Sequence, residues 1–405
     1  MDNMYELAKQ ILDETDGKIC KSCLGRKLSK TIEGNNNIER ADKVCNELNI
    51  NLDDVDCVIC NNIFDKINDE LYKKIDDKIN HLGIEFETFL VGSKIPKDIQ
   101  ERDDALSEKF NLTVETIKKE INRLIGLGIW EIYDKEAGFE NQDIVFNINL
   151  TGDVKVKIQI NPLYIEGKYN KFQRGIPQTK WPCTKCKGRG CEVCNFTGKQ
   201  YPNSVEELIS EHVLTLTKGR EAKFHGAGRE DIDVLMLGSG RPFVLEIKEP
   251  IIRNIDLPKI EEDVNKINEG KTAYHNLHLC KRSRKAEIKQ SSPDAYKIYN
   301  AIVECDENFD ESKLDELLKL DEIHQQTPLR VMRRRADKTR IKHVLDLSYE
   351  IIDDKHFSLT IKTEGGLYIK ELISGDEGRS KPNVSEILGV GTICQQLDVM
   401  EVSEK

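Results

Sequence analysis

The sequence predicts an α+β protein: a metal-stabilised N-terminal part, then a larger C-terminal part built around a central mixed or antiparallel sheet. Three observations lead there. The chain has 405 residues, enough for two or three domains with full cores. Its apolar residues switch repeatedly between a helical spacing and a two-residue alternation. Four Cys-x-x-Cys units also fall into two sets, Cys20/Cys23 with Cys57/Cys60 and Cys183/Cys186 with Cys191/Cys194.

The first cysteine set opens the chain. A Cys-x-x-Cys knuckle turns both thiolates inward, so two knuckles close one tetrahedral zinc site. Within 66–81, Ile67, Leu71, Ile75 and Ile79 recur at helical spacing, and 114–128 shows the same period. Residues 84–91 and 154–160 alternate like strands, the latter with Lys155 and Lys157 on one face and Val154, Val156, Ile158 and Ile160 on the other. The following segment interleaves Tyr164, Tyr169, Phe172 and Trp181 with Lys168, Lys171, Arg174 and Lys180. Aromatic faces stack bases while cations hold phosphates, so this pattern suits RNA; an edge strand packing its aromatics on its own domain would read the same way.

The second cysteine set has a tight layout in a glycine-rich stretch ending Thr197-Gly198, and it resembles cysteine-rich modules of the DnaJ type. Four thiolates close a tetrahedron and leave no position for an activated water, so both metal sites are expected to be structural. So short a segment cannot bury a core, and zinc would supply its folding free energy. Cys45, Cys280, Cys305 and Cys394 lack partners at ligand spacing and read as small core residues. Ser204-Val-Glu-Glu207 then forms a capping box opening a helix toward Leu208, Ile209 and Val213, after which strand-like runs such as 242–247 and 357–362 alternate with helices.

A net charge of −11 argues against nucleic acid as a whole-chain average, but the distribution matters more. Acids concentrate in 51–80 and 305–322, whereas Arg330, Arg333, Arg334, Arg335, Lys338, Arg340 and Lys342 stand against one acid, Asp337. The plain alternative for that run is a solvated helix face. No run approaches the roughly 18 apolar residues of a membrane span and the acidic start lacks a signal-peptide pattern, so a cytoplasmic protein that engages no membrane is expected.

The turn Gly228-Arg229-Glu230-Asp231, followed by Val234 and a strand-like run, places a carboxylate two residues after an arginine. A neighbouring guanidinium favours the anion, and the flanking glycine allows close approach of a flat ligand. The result is a presented anionic nucleophile or base. This turn resembles the Gly-Arg-x-Asp-x-x-Val motif of pseudouridine synthases, especially its TruA-like form. With 175–183, 296–303, 325–340 and the Gly-x-Tyr-Ile-Lys segment in 365–383, it resembles the archaeal and eukaryotic family of tRNA pseudouridine synthases that modify uridines 54 and 55 of the T-arm.

The resemblance implies a zinc-stabilised N-terminal THUMP-like RNA-binding domain and a pseudouridine synthase catalytic domain with a central mixed or antiparallel sheet. The expected divisions are a zinc module at 1–65, a THUMP-like region at 66–180, the second knuckle at 181–200 and the catalytic domain at 201–405. It further implies Asp231 as catalytic carboxylate, Arg229 holding that carboxylate ionised, and Tyr299 stacking on the base or accepting its C5 proton. Tyr368 and Lys370 would line the same pocket, and Arg330, Arg333, Arg334 and Arg335 would contact RNA. The substrate would be tRNA, with one or two structural zinc ions, no organic cofactor and no obligate protein partner. The chain departs from the family's turn at Leu235, where a cation is expected.

Two other readings use the same residues. Asp233 with Glu246-Ile247-Lys248 resembles the acid and lysine set of a magnesium-dependent nuclease, in which two carboxylates hold the metal. A non-catalytic, zinc-stabilised RNA-binding protein would keep the basic and aromatic features and make Asp231 dispensable.

Overall fold

A computed structural model of the chain describes residues 5–291, 295–333 and 335–403. It divides into two compact units, Met1–Asn161 and Pro162–Lys405.

The first unit begins with helices α1 (Glu6–Glu14), α2 (Lys21–Lys27) and α3 (Asn37–Leu48). Then come α4 (Asp69–Leu82), β1 (Thr88–Lys94), α5 (Lys97–Lys109), α6 (Ile117–Tyr133), β2 (Glu136–Ala137), β3 (Ile144–Asn149) and β4 (Lys155–Ile160). The four strands form one sheet in the order β2-β1-β3-β4. In α4 the predicted Leu71, Ile75 and Ile79 are buried, but Ile67 precedes the helix, because Asn68 caps it by accepting from Glu70 and Leu71. The strand expected at 84–91 starts later, at Thr88. Ile84 and Phe86 are still buried, and the Phe86 ring meets Phe89 edge-on at 6.4 Å, so packing rather than pairing explains their apolar character.

A buried ionic knot ties the cysteine-bearing segment to α5 and α6. Arg26 pairs with Glu120 and, at 2.6 Å, with Asp103, which also takes Lys27 at 2.6 Å. All four side chains are at most 2% exposed.

The second unit opens with β5 (Leu163–Lys171), α7 (Val205–Thr217), β6 (Glu221–Gly226), β7 (Leu235–Lys248), α8 (Leu257–Ile267), β8 (Thr272–Leu279) and α9 (Arg284–Ser291). It continues with β9 (Tyr296–Cys305), α10 (Leu314–Leu317), β10 (Glu322–Gln326), β11 (Thr339–Ile351) and β12 (His356–Glu364). The last elements are α11 (Ile369–Ser374), β13 (Ser380–Lys381), α12 (Val384–Leu388) and β14 (Thr392–Val402). Nine of its strands run in the order β13-β10-β11-β12-β9-β14-β7-β5-β8, with β6 added on β7. β14 and β7 are parallel, while the other pairings are antiparallel, so the sheet is mixed. Ser204 caps α7 as expected, accepting from the Glu207 amide at 3.2 Å.

Residues 162–180, grouped by sequence with the RNA-binding region, lie in the second unit. β5 is flanked by β7 and β8 and covered on both faces, which buries Tyr164, Tyr169 and Lys171. Those aromatics pack on their own domain, so the RNA reading of this segment does not hold for them. Phe172 stays 46% exposed. Among the described residues no helix is long and apolar enough to cross a membrane.

Candidate active site

Between β6 and β7 the chain makes a turn that begins at Gly228, whose φ of +81° lies in the left-handed region. Buried groups pin this turn from beneath. Gln178 Nε2 donates to Gly228 O at 2.9 Å, Arg241 Nη1 to Ala227 O at 2.9 Å, and Lys171 Nζ to Asp231 O at 3.2 Å. The Glu230 side chain points inward, where it accepts from Tyr169 Oη at 2.7 Å. Arg241 Nε stands 2.9 Å and Lys171 Nζ 3.8 Å from the same carboxylate. A carboxyl group removed from water needs such partners. With residue 230 consumed by the core, the neighbouring Asp231 is turned outward and its side chain is 40% exposed.

Asp231 faces a cavity of about 490 Å³, within the range of small-molecule sites. Arg229, Tyr299, Tyr368, Lys370, Arg330 and Arg335 line it too, so most of the expected site residues, far apart in sequence, converge. The sheet explains why. Asp398 and Val399 of β14 pair with Leu235 and Met236 at the start of β7, and Val399 also pairs with Tyr299 of β9. The turn before β7 therefore sits beside the central strands that supply Tyr299, Leu397 and Val399 to the cavity.

The electrostatics differ from expectation at one point. The guanidinium on Asp231 is not that of Arg229 but of Arg330, with Nη1 2.9 Å from Oδ2. Arg330 is itself aimed by Glu371, 2.5 Å from its Nε, and lies 5.9 Å from the centre of the Tyr368 ring. Arg229 instead lies over the Trp181 ring, 5.1 Å from its centre. Lys370 Nζ is 2.7 Å from Asp233 Oδ2 and 3.7 Å from Asp231. Burial alone would raise the Asp233 carboxyl, but the Lys370 bond outweighs it and holds the group below the usual range. Burial pushes the Tyr299 phenol up to about 12, with Arg241 opposing and Glu230 and Asp231 adding to the rise, so it carries its proton at neutral pH.

Arg333 is exposed on the turn after Val331 and does not line the cavity, and Arg334 lies outside the described residues. Sequence reasoning missed Trp181 as a cavity wall, Glu371 as the anchor of Arg330, and the Glu230–Arg241–Tyr169 base under the turn. A buried acid next to Asp231 leaves no periodic signal within so short a loop.

The nuclease arrangement is not assembled. Glu246 binds His225 at 2.8 Å and Lys285 at 3.2 Å, Lys248 binds Glu221 at 2.9 Å, and neither Glu246 nor Lys248 lines the cavity that holds Asp233.

Both cysteine sets come together, each with its four sulfurs within 4.8 Å of one another. Sulfur separations of 3.6 Å (Cys20–Cys60), 4.0 Å (Cys183–Cys191), 3.9 Å (Cys186–Cys194) and 3.7 Å (Cys191–Cys194) match the edge of about 3.8 Å expected for a tetrahedron with Zn–S bonds of about 2.3 Å. The backbone amides of Cys191 and Gly198 donate to the Cys194 sulfur at 3.2 and 3.3 Å, a setting that favours a thiolate ligand. The residues present fit zinc.

Residues 164–403 match the family described as Pus10, C-terminal, and residues 72–149 match the Pus10 THUMP domain, archaeal. The chain is 48% identical to the "tRNA pseudouridine synthase Pus10" of Methanothermobacter marburgensis over 99% of both chains. It is 43% identical to the protein of that name from Methanosphaera stadtmanae, over 85% of this chain and 88% of the other. With that from Methanocaldococcus jannaschii it shares 45% identity over 88% of this chain and 77% of the other.

Proposed function

The chain belongs to the Pus10 family of tRNA pseudouridine synthases, and on that premise we propose that it isomerises uridine 54, uridine 55 or both in the T-arm of tRNA, with Asp231 as the catalytic carboxylate. The observation that carries this reading is the presentation of Asp231, paired with Arg330, in one cavity that Tyr299 and other residues of the central strands also line.

The reaction breaks the bond between ribose C1′ and uracil N1, turns the base, and joins C1′ to C5 while a proton leaves C5. Atoms and electrons balance within the nucleoside, so the reaction calls for no organic cofactor. Asp231 either attacks the nucleoside or removes a sugar proton, and in both cases it must be an anion. Arg330 is its ion-pair partner, with Nη1 2.9 Å from Oδ2. A uridine inside folded tRNA must first be extruded, at a cost of a few kcal/mol, and then held. Tyr299, which lines the cavity, stacks on the uracil in this reading, and its protonated phenol can hydrogen-bond to it. Tyr368 and Lys370 complete the wall. Arg229 on Trp181 offers a flat surface at the rim that can occupy the gap left by the extruded base. Cys20, Cys23, Cys57 and Cys60 would hold one zinc ion and Cys183, Cys186, Cys191 and Cys194 another, and each would fix a local fold and take no part in the chemistry.

The test is pseudouridine mapping in a tRNA transcript incubated with the purified protein. Asp231→Asn is expected to bind tRNA and form no pseudouridine, while Asp233→Asn retains measurable turnover. Full activity in Asp231→Asn with loss in Asp233→Asn would transfer the role to Asp233. Modification confined to other positions would overturn the T-arm assignment.

A further inference from the structure

The second cysteine knuckle carries features that holding a metal does not require. Phe196 is 73% exposed and Val193 68% exposed, on the outer surface of a segment whose interior is its four sulfurs. Phe196 also has φ +59°, immediately after Asn195 at +47°. Two successive non-glycine residues in the left-handed region cost free energy, and an exposed phenylalanine recovers none of it by burial. The conformation is nevertheless built in. Phe196 N donates to Cys191 O at 2.8 Å, and a Cβ on Gly190 would meet the Phe196 backbone O at 2.7 Å, so residue 190 must stay small for the backbone at 196 to keep this course.

The exposed side chains of the knuckle are mostly basic. Lys185, Lys187 and Arg189 are all exposed, and among the described residues none has a carboxylate within ion-pair distance in this structure. Within 182–199 the one acid is Glu192, in a chain whose net charge is −11. The knuckle is also continuous with the catalytic cavity. Its stem pairs Pro182 with Lys199, Gln200 N donates to Trp181 O at 2.9 Å, and Trp181, packed edge-on against Tyr201 at 5.6 Å, forms a cavity wall.

We propose that the outer face of this knuckle is a second RNA-contacting site, in which Phe196 stacks on an unpaired base of the substrate RNA while Lys185, Lys187 and Arg189 hold the adjoining phosphates. An aromatic ring with cations beside it is the combination that captures single-stranded nucleotides, and a base has a stacking face whatever its sequence. A polypeptide would use the apolar residues but leave the three cations without a role. The knuckle's stem leads directly to Trp181, which lines the cavity. The proposed site rests on the RNA-modifying reading above and adds where the strand is held.

The experiment uses the full-length protein and a tRNA transcript containing 4-thiouridine. After irradiation, crosslinked nucleotides are expected on the peptide bearing Phe196. Phe196→Leu should weaken tRNA binding about tenfold while Phe196→Trp retains it, because stacking needs a ring and not merely bulk. Replacing Lys185, Lys187 and Arg189 with alanine should lower the salt slope of binding by about 2. Metal content, measured on every variant, should equal that of the unaltered protein. Wild-type protein that binds and modifies tRNA, with no crosslink to the knuckle and both Phe196→Leu and the triple-alanine variant within twofold in affinity, would overturn this site and leave the proposed function standing. So would a Phe196→Leu variant that loses capture of a reduced, unfolded polypeptide and keeps its tRNA affinity. Absence of tRNA binding by the wild-type protein would instead remove the RNA reading itself.

Discussion

Arg330 Nη1 lies 2.9 Å from Asp231 Oδ2 while its Nε is 2.5 Å from Glu371, so one guanidinium joins the turn before β7 to the first turn of α11. The catalytic carboxylate we propose is thus governed by a residue of the basic run. Arg330→Ala should lower the rate of pseudouridine formation by about 10²–10³, the usual cost of losing one well-placed charged donor. Single-turnover rates and tRNA affinity measured separately check this, since a purely RNA-gripping arginine would change affinity and spare the rate.

The rest of the run is a different matter. Arg333 and Arg335 are exposed, as expected of groups that hold phosphates. Replacing Arg333, Arg334 and Arg335 with alanine should weaken tRNA binding and flatten its salt dependence by about 0.7–0.9 for each phosphate that is no longer neutralised. Titrations at several salt concentrations give the slope. An unchanged slope would make these side chains ordinary solvated surface.

Elemental analysis should find about two zinc ions per chain, one for each closed set of four thiolates. Replacing Cys183 and Cys186 with serine should remove one of them and leave the other. A value near zero in protein that remains folded would refute the structural role of both sets.

Lys297 is 8% exposed and lies on β9, two residues from Tyr299. Burial, with Arg241 adding to it and Glu230 opposing, brings its ammonium down to about 7. Between that value and the usual one of about 10.4, the unfolded chain holds a proton that the folded chain has released, so stability rises with pH across this window. The penalty is present in full below about 7 and fades above it. Thermal unfolding from pH 6 to 10 should show this rise in the wild type, and Lys297→Met should be more stable at low pH with a flatter profile.

In the first unit, Glu120→Leu leaves the buried Arg26 short of one carboxylate partner. Breaking a buried pair from one side costs about 3–5 kcal/mol, and denaturant unfolding should report a loss of that order. The same change to the exposed Glu70, paired with Lys74 at 2.7 Å, should leave the unfolding midpoint nearly unchanged.

Several elements were legible because their signals are local. The α4 apolar stripe, the Ser204 cap and both cysteine sets depend on spacings within a few residues, and all three stand in the structure. β5 misled because a strand buried on both faces shows no polar alternation to separate it from an aromatic–basic RNA surface. Tyr169 and Lys171 look like stacking and phosphate groups in sequence, yet they form the buried base beneath the Asp231 turn. The register between Asp231 and Asp233 rested on motif alone. In the fold Lys370 takes Asp233 while Arg330 takes Asp231.

What the sequence determined by itself is the set of parts: the two groups of thiolates, the Gly228-Arg229-Glu230-Asp231 turn, Tyr299 in its strand and the basic run after Gln326. Each is a short motif whose chemistry follows from residue types and spacing. Which cation meets which carboxylate was decided only by the tertiary structure. Arg229, the neighbour in sequence, goes to Trp181, whereas Arg330 reaches Asp231 because the order β9-β14-β7 lays distant segments side by side around one cavity. Strand order is a property of the whole folded sheet, and no local spacing along the chain encodes it.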